Sequence, residues 1–204
     1  VNPFPTIITA PTTEAISLAE LKLQSRIDAS TEDAILELYR TAARKYYEVR
    51  TERTIHQTEL EIVLNSFPSL DYIELPRATP LILITSVKYY DSAGTEATMS
   101  AAEYIADTWT QPIGRLVLDY GESWPSFTPY PVAPIRVRYK AGIATTSPVT
   151  EADAADKIPI LLLAAALYEN REGVNIADQA SIAQVSMKYG IEAFIALRQA
   201  RYVF

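Results

Sequence analysis

His56 is the only histidine of the chain, placed where a long helical pattern gives way to a strand pattern. An imidazole there could serve as a general acid or base only with an oriented partner. A lone histidine at such a junction is more often a surface or hydrogen-bonded structural residue. Glu59 and Glu61 lie two apart and on a strand would share one face. They look like a carboxylate pair, yet glycosidase chemistry needs carboxylates on opposite sides of the scissile bond, so a solvated strand face is the expectation. Asp91, Asp107 and Asp119 form no D-x-D-x-D-G run and read as turn and strand-end residues rather than calcium ligands. Trp109, Trp124 and the thirteen tyrosines are candidates to stack on sugars or bases. Most tyrosines, however, fall on periodic apolar positions, which is core usage with a polar tip. Arg136, Arg138, Tyr139 and Lys140 read as a one-faced strand stripe suited to DNA or a neighbouring subunit, and the acidic total favours the subunit.

The composition narrows the chemistry further. At 204 residues, 49% hydrophobic and 21% charged, the chain suits one large domain or two small ones. With no cysteine, disulfides, thiolate metal sites and cysteine nucleophiles are excluded. A single histidine leaves no parts for a multi-histidine metal site. Eighteen basic against 25 acidic residues give −7, distributed as −1 over 1–54 (seven basic, eight acidic), −4 over 55–150 (six, ten) and −2 over 151–204 (five, seven). No region is a generic phosphate-binding module. The six glycines form no GxGxxG or GxxxxGK cluster. No catalytic, cofactor-binding or metal-ligating residue is expected, and the reading is non-enzymatic. Val1-Asn2-Pro3-Phe4-Pro5 lacks the basic start and apolar core of a secretory signal. The longest apolar run, Ile158 to Tyr168, falls short of the roughly 20 residues of a membrane span and reads as a helix buried on most faces. The expected address is cytosolic, or a particle that later leaves the cell.

These residues must be held by elements of two rhythms. Over 1–54 the pattern is helical. Ser17-Leu18-Ala19-Glu20 is a capping box opening a short helix to about Ile27. Ser30 or Thr31 caps a second helix with Glu32 and Asp33 in its first turn. Ile35, Tyr39, Ala42, Tyr46 and Val49 recur at three and four, with Leu36, Ala43 and Tyr47 alongside, giving one broad apolar stripe. Arg40, Arg44, Lys45, Arg50 and Arg53 fall mostly off it. From Thr54 to Thr150 the period is two: 59–64, 72–75 and 135–140 alternate, Leu81 to Tyr90 is β-branched and apolar, and 114–119 adds another strand. Asp91-Ser92-Ala93-Gly94 is a turn, and Pro125, Pro129, Pro131 and Pro134 mark an extended loop. From Ala154 the helical period returns, with Asp156 at the entry, Pro159 in the first turn and Gly173 at the stop. A final short helix spans Ile191 to Arg201, and 174–190 give no pattern. The expected fold class is α+β. Segments 1–54 and 151–204 are each too small for a core alone, so they are expected to form one helical bundle. An antiparallel β domain, barrel- or sandwich-like, is then inserted at 55–150.

The ordered set of small motifs resembles the head–tail connector (adaptor) family of long-tailed bacteriophages, also described as possible DNA-packaging proteins of prophages. The matching stretches are Ile16-Ser17-Leu18-Ala19-Glu20-Leu21-Lys22 with Arg26-Ile27-Asp28, then Glu32-Asp33-Ala34-Ile35-Leu36 leading to Ala42-Ala43-Arg44 and Glu48. Leu75-Pro76-Arg77 with Pro80-Leu81 follows, then Val87-Lys88-Tyr89-Tyr90-Asp91 with Gly94, and Gly114-Arg115. Trp124-Pro125 precedes Val137-Arg138-Tyr139-Lys140-Ala141-Gly142, and Ile158-Pro159 opens a helix ending Leu167-Tyr168-Glu169-Asn170-Arg171-Glu172. The similarity spans roughly 10–172, with a looser match at 196–202. Residues 173–190 depart from it.

The resemblance implies a structural virion protein at the head–tail junction. It would form a ring of about twelve copies, closed by a head-to-tail interface, under the portal. That ring extends the DNA channel and joins a neck or tail-completion protein. DNA would pass without sequence-specific binding, and no membrane or cofactor is implied. Assembly would take place in the host cytoplasm. The C-terminal segment would meet the portal or a neighbour, through Phe194, Leu197, Arg198, Arg201, Tyr202 and Phe204. The alternatives are a carbohydrate- or protein-binding β module of a tail or baseplate accessory protein, using Trp109 and Trp124, and a carboxylate hydrolase, which would need two buried, pKa-shifted carboxylates in one cleft.

Overall fold

The computed structural model describes residues 4–109, 113–144, 152–170 and 190–199. It is an α+β chain of eight strands and four helices among those residues, and it divides into two compact units. One comprises Thr13–Thr51 and Val149–Gln199; the other is built on Glu52–Pro148 together with the strand near the N-terminus.

The β unit holds two antiparallel sheets and no closed barrel. The larger has the order β1 (Thr6–Thr9), β2 (Thr58–Leu64), β8 (Ile135–Ala141), β4 (Leu81–Tyr90), β5 (Glu96–Thr98). The smaller has the order β3 (Tyr72–Glu74), β7 (Arg115–Leu118), β6 (Tyr104–Asp107). Alternation dictates the inner faces. Leu60 and Ile62 of β2, Ile135, Val137 and Tyr139 of β8, and Leu81 and Val87 of β4 share one buried cluster with Ile73, Leu116 and Leu118 of the small sheet. The pairing Leu60↔Tyr139 and Ile62↔Val137 sets this register. Slipping it by one residue would turn the core-facing side chains of the slipped strand to solvent. Tyr139 is buried because its hydroxyl donates to the Pro76 carbonyl at 2.5 Å. Phe67, stacked on Trp124 at 4.9 Å and edge-on to Phe127, extends the core to the proline-rich loop. Strands β1 and β6 had no expected element; both are only four residues long and carry no clean alternation of burial.

Two glycines fix close approaches in this unit. A Cβ on Gly142, whose φ is +99°, would lie 2.4 Å from the His56 carbonyl oxygen. One on Gly114 would lie 2.5 Å from Leu81 Cβ.

In the helical unit, α1 (Leu18–Ser25) starts at the expected capping box. Glu20 N–H donates to Ser17 Oγ and Ser17 N–H to the Glu20 carboxylate. It ends on Arg26 in the left-handed region. The long helix α2 spans Asp33–Thr51. Helix α3 runs over Ala154–Glu169 and is capped by Asp153, whose side chain accepts from Ala155 N–H. This corrects the expected entry at Asp156: Pro159 lies inside the helix, where it removes a backbone hydrogen bond rather than fitting the first turn. Asp156 is instead buried, taking a hydrogen bond from Tyr47 of α2 at 2.8 Å. The expected stop at Gly173 lies outside the described residues. Helix α4 spans Ile191–Arg198. Helix α1 is tied to α3 by Lys157–Glu20 at 2.7 Å, and α2 packs against α3. The unit's core is Leu21, Leu36, Ala43, Tyr47, Ile160, Ala164, Ile191 and Ile195. No helix among the described residues is long and apolar enough to cross a membrane.

Candidate assembly surfaces

Helix α2 carries the largest departure from the periodic reading. Its buried side is Leu36, Ala43 and Tyr47, joined by Arg44, Glu48 and Thr51. The main line of the expected stripe is on the other side: Ala42, Tyr46 and Val49 are exposed, Ile35 and Tyr39 half-buried, and Leu38 is 65% exposed. Arg44, expected off the stripe, is 3% exposed and Glu48 only 1%. The reason is charge compensation from a distant segment. Arg44 donates to Glu14 at 2.7 Å and to Glu48 at 2.9 Å, and Thr41 holds the same Glu14 carboxylate at 3.0 Å. Burial would lower the Arg44 pKa, but the hydrogen bonds and charges of Glu14 and Glu48 outweigh it and raise the value. Periodicity finds a stripe; it does not say which side faces in.

Helix α4 holds part of the expected contact set. Ile191 and Ile195 are buried. Glu192 bridges Arg50 of α2 at 3.2 Å, and Arg198 reaches Asp153 and Asp156 at the start of α3. Anchored this way, the helix presents Leu197, 82% exposed, with Phe194 half-buried beside it. Arg198 is therefore engaged within the chain. Arg201, Tyr202 and Phe204 lie outside the described residues.

The outer face of the large sheet is a ladder of opposite charges. Register places Glu59 opposite Lys140 and Glu61 opposite Arg138. Arg138 donates through Nη2 to Glu61 at 2.8 Å, which raises its pKa. On the far side of β8, Lys88 lies opposite Arg136. Lys88 pairs with Glu96 at 2.6 Å, and Arg136 covers the Tyr90 ring at 5.1 Å. Lys88 first, and Tyr90 after it, hold the Glu96 carboxyl below its usual value. Glu59 accepts from Thr9 and Thr85. Thus Glu59 and Glu61 do share a face, and it is a hydrogen-bonded, ion-paired one. Tyr139 departs from the expected stripe: it points to the core, and only Arg136, Arg138 and Lys140 alternate outward.

The remaining candidates have structural places. His56 is buried and bridges Ile143. Asp91 Oδ1 accepts from Ala93 and Thr95 N–H at 2.9 Å. The Thr95 bond contributes most to its lowered pKa. Asp107 and Asp119 accept from Trp109 and Tyr120 N–H. Trp124 spends one ring face on Phe67 and its N–H on the Leu70 carbonyl at 2.8 Å; Trp109 is 90% exposed. Among the described residues no three His, Cys, Asp or Glu side chains gather as metal ligands.

Known proteins give this surface a context. Residues 15–111 match the family model of the phage gp6-like head-tail connector protein. That is the family the sequence motifs resemble. No curated protein matches the chain. Among solved structures, the neck of an empty GTA particle computed with C6 symmetry contains a chain 22% identical, with TM-score 0.78 over 98% of this chain and 97% of that one. A chain in the virion of a native gene transfer agent particle gives TM-score 0.77. One in the neck of a native GTA particle computed with C12 symmetry gives 0.75. The identity and both coverages are the same for these two as for the first. At that identity the likeness is one of fold.

Proposed function

From the match of residues 15–111 to phage gp6-like head-tail connectors, we infer that this chain is a structural connector of the head–tail junction of a phage-like particle. That family match is the observation that carries the reading. We further propose that copies form a ring, in keeping with the cyclic symmetry under which necks containing the same fold were computed. The ring would dock on the portal and receive a neck or tail-completion protein. It would assemble in the host cytoplasm and let DNA pass without sequence-specific contacts. A net charge of −7 supports the last point, because an acidic wall does not hold phosphates. The proposed domain plan is a helical bundle of 1–54 with 151–204 carrying an inserted β domain at 55–150. Phe194, Leu197, Arg198, Arg201, Tyr202 and Phe204 are the proposed portal or neighbour contacts, of which Leu197 supplies the exposed apolar area.

Deleting the gene in a producing strain tests the role. The reading expects heads and tails that accumulate unjoined, and joining restored by the chain supplied in trans. Complete particles formed in its absence would overturn it.

A further inference from the structure

Strand β1 is held on its sheet by little. All four of its residues are exposed, and none enters the core cluster; from 4 to 13 only Pro5 is buried. Its pairing with β2 consists of Thr6↔Glu61, Ile7↔Leu60 and Thr9↔Glu59, with an irregularity between Ile7 and Thr9. The Thr9 hydroxyl adds a hydrogen bond to the Glu59 carboxylate at 3.2 Å. Firm anchorage begins at Glu14, whose carboxylate accepts from Arg44 at 2.7 Å and Thr41 at 3.0 Å, and Ala15 and Ile16 after it are buried. Between strand and anchor lie only Ala10, Pro11, Thr12 and Thr13, a short hinge whose proline has a fixed φ and no N–H to pair. The chain then passes through Thr13–Thr51 of the helical unit before it returns as β2. Leaving β1 out, the order β2-β8-β4-β5 is unbroken, and β2 keeps its seven register pairs with β8. An edge element with so few buried contacts belongs to the least stable part of a fold.

We propose that β1 is an exchangeable arm: in the assembled ring it leaves its own sheet and pairs with β2 of a neighbouring copy, in the register it has within one chain. The inference rests on the ring reading above. The pairing itself identifies the occupant. Once β1 departs, the edge of β2 offers Glu59, Leu60 and Glu61, and the segment that fits this edge is the one seen on it, Thr6–Thr9. The same contacts form within a chain or between chains, so exchange sacrifices no pairing, and a short hinge is the feature that invites it. No charged residue precedes Glu14, so an arm passing to a second copy carries no charge to be desolvated. Each copy gives one arm and offers one edge. Such a contact is head-to-tail, and a closed ring leaves no edge unfilled.

The chain has no cysteine, so introduced thiols report the pairing alone. Thr9 and Glu59 are Cα partners whose side chains touch, and neither is buried. A Thr9→Cys chain and a Glu59→Cys chain are co-expressed in a strain without the wild-type copy, and unfolding curves matching the wild type establish that each folds. Purified particles are oxidised and run without reductant. The expected result is covalent dimers of the 22.7 kDa chain from mixed particles and none from particles of either variant alone. A chain carrying both substitutions closes its disulfide internally when free in dilute solution and gives a ladder of multiples in particles. A double variant that stays monomeric in particles overturns the proposal. An internal disulfide there means that β1 remains on its own β2; thiols open to maleimide mean that it lies on neither. Dimers from Thr9→Cys alone mean that arms pair with arms and overturn it as well. Independently, deleting residues 1–9 shifts the urea midpoint little, since the strand enters no core, yet the chain is lost from particles; incorporation at the wild-type level contradicts the arm's role. If the wild-type chain is itself absent from particles, the connector reading fails, and that outcome is separate from failure of the exchange alone.

Discussion

Leu36 and Leu38 sit two positions apart on α2 and should answer very differently to truncation. Leu36 is fully buried, and Leu36→Ala removes its transfer free energy and leaves a cavity, a loss of about 3 kcal/mol. Leu38 is 65% exposed; only about a third of its side chain leaves water on folding, worth roughly 0.5–1 kcal/mol at ordinary burial values. Alanine's better helix propensity returns a few tenths of that, so Leu38→Ala should cost about 0.5 kcal/mol or less. The gap of about 2 kcal/mol or more corresponds to roughly 30-fold in the folded-to-unfolded ratio. Urea unfolding followed by helical circular dichroism reads it as a large drop in midpoint for Leu36→Ala and almost none for Leu38→Ala, with the slope unchanged in both. The opposite ranking would mean that the stripe of Leu38, Ala42 and Val49 is the buried one, and would remove the basis for an outward contact surface.

Further outcomes follow from the same geometry. Arg44→Met strips the buried Glu48 of the guanidinium that faces it and should cost about 3 kcal/mol in urea unfolding. The double change Arg44→Met, Glu48→Leu should recover only the part of that loss due to the stranded Glu48, because Glu14, the other partner of Arg44, still lacks its guanidinium. Glu20 has a lowered folded pKa, chiefly through its hydrogen bond from Lys157, so the stability it adds is present above its ordinary value of 4.5 and lost as pH falls through the lowered one. An acid titration of unfolding should therefore show the gap between wild type and Glu20→Gln closing in that window. Gly142→Ala should destabilise the β unit by about 2 kcal/mol or more in thermal unfolding, since its Cβ has no room beside His56 and its φ is +99°.

What was legible in the sequence was local. Ser17 and Glu20 satisfy one another's backbone within one turn, and Asp91 to Gly94 closes its own hairpin, so both could be read from neighbouring letters. Strands β2 and β8 alternate because one face is core. The orientation of α2 was not legible. Its two apolar lines differ only in which one meets Glu14, a carboxylate thirty residues away that makes burying Arg44 tolerable. Tyr139 escaped the stripe reading for a similar reason, since its place in the core depends on the Pro76 carbonyl. Asp153 was missed as the cap of α3 because Pro159 suggested a later start, and the helix accommodates that proline in its interior. Of the expected contact residues, Leu197 is exposed while Arg198 is occupied by Asp153 and Asp156; acids more than forty residues distant give no signal at the arginine itself.

The central claim is a place in a particle, and imaging that place tests it most directly. A cryo-EM reconstruction of the head–tail junction from particles carrying this chain should contain density that fits both of its units, repeated around the axis beneath the portal. A well-resolved junction with no position for this fold, or the chain found only elsewhere in the particle, would contradict the account.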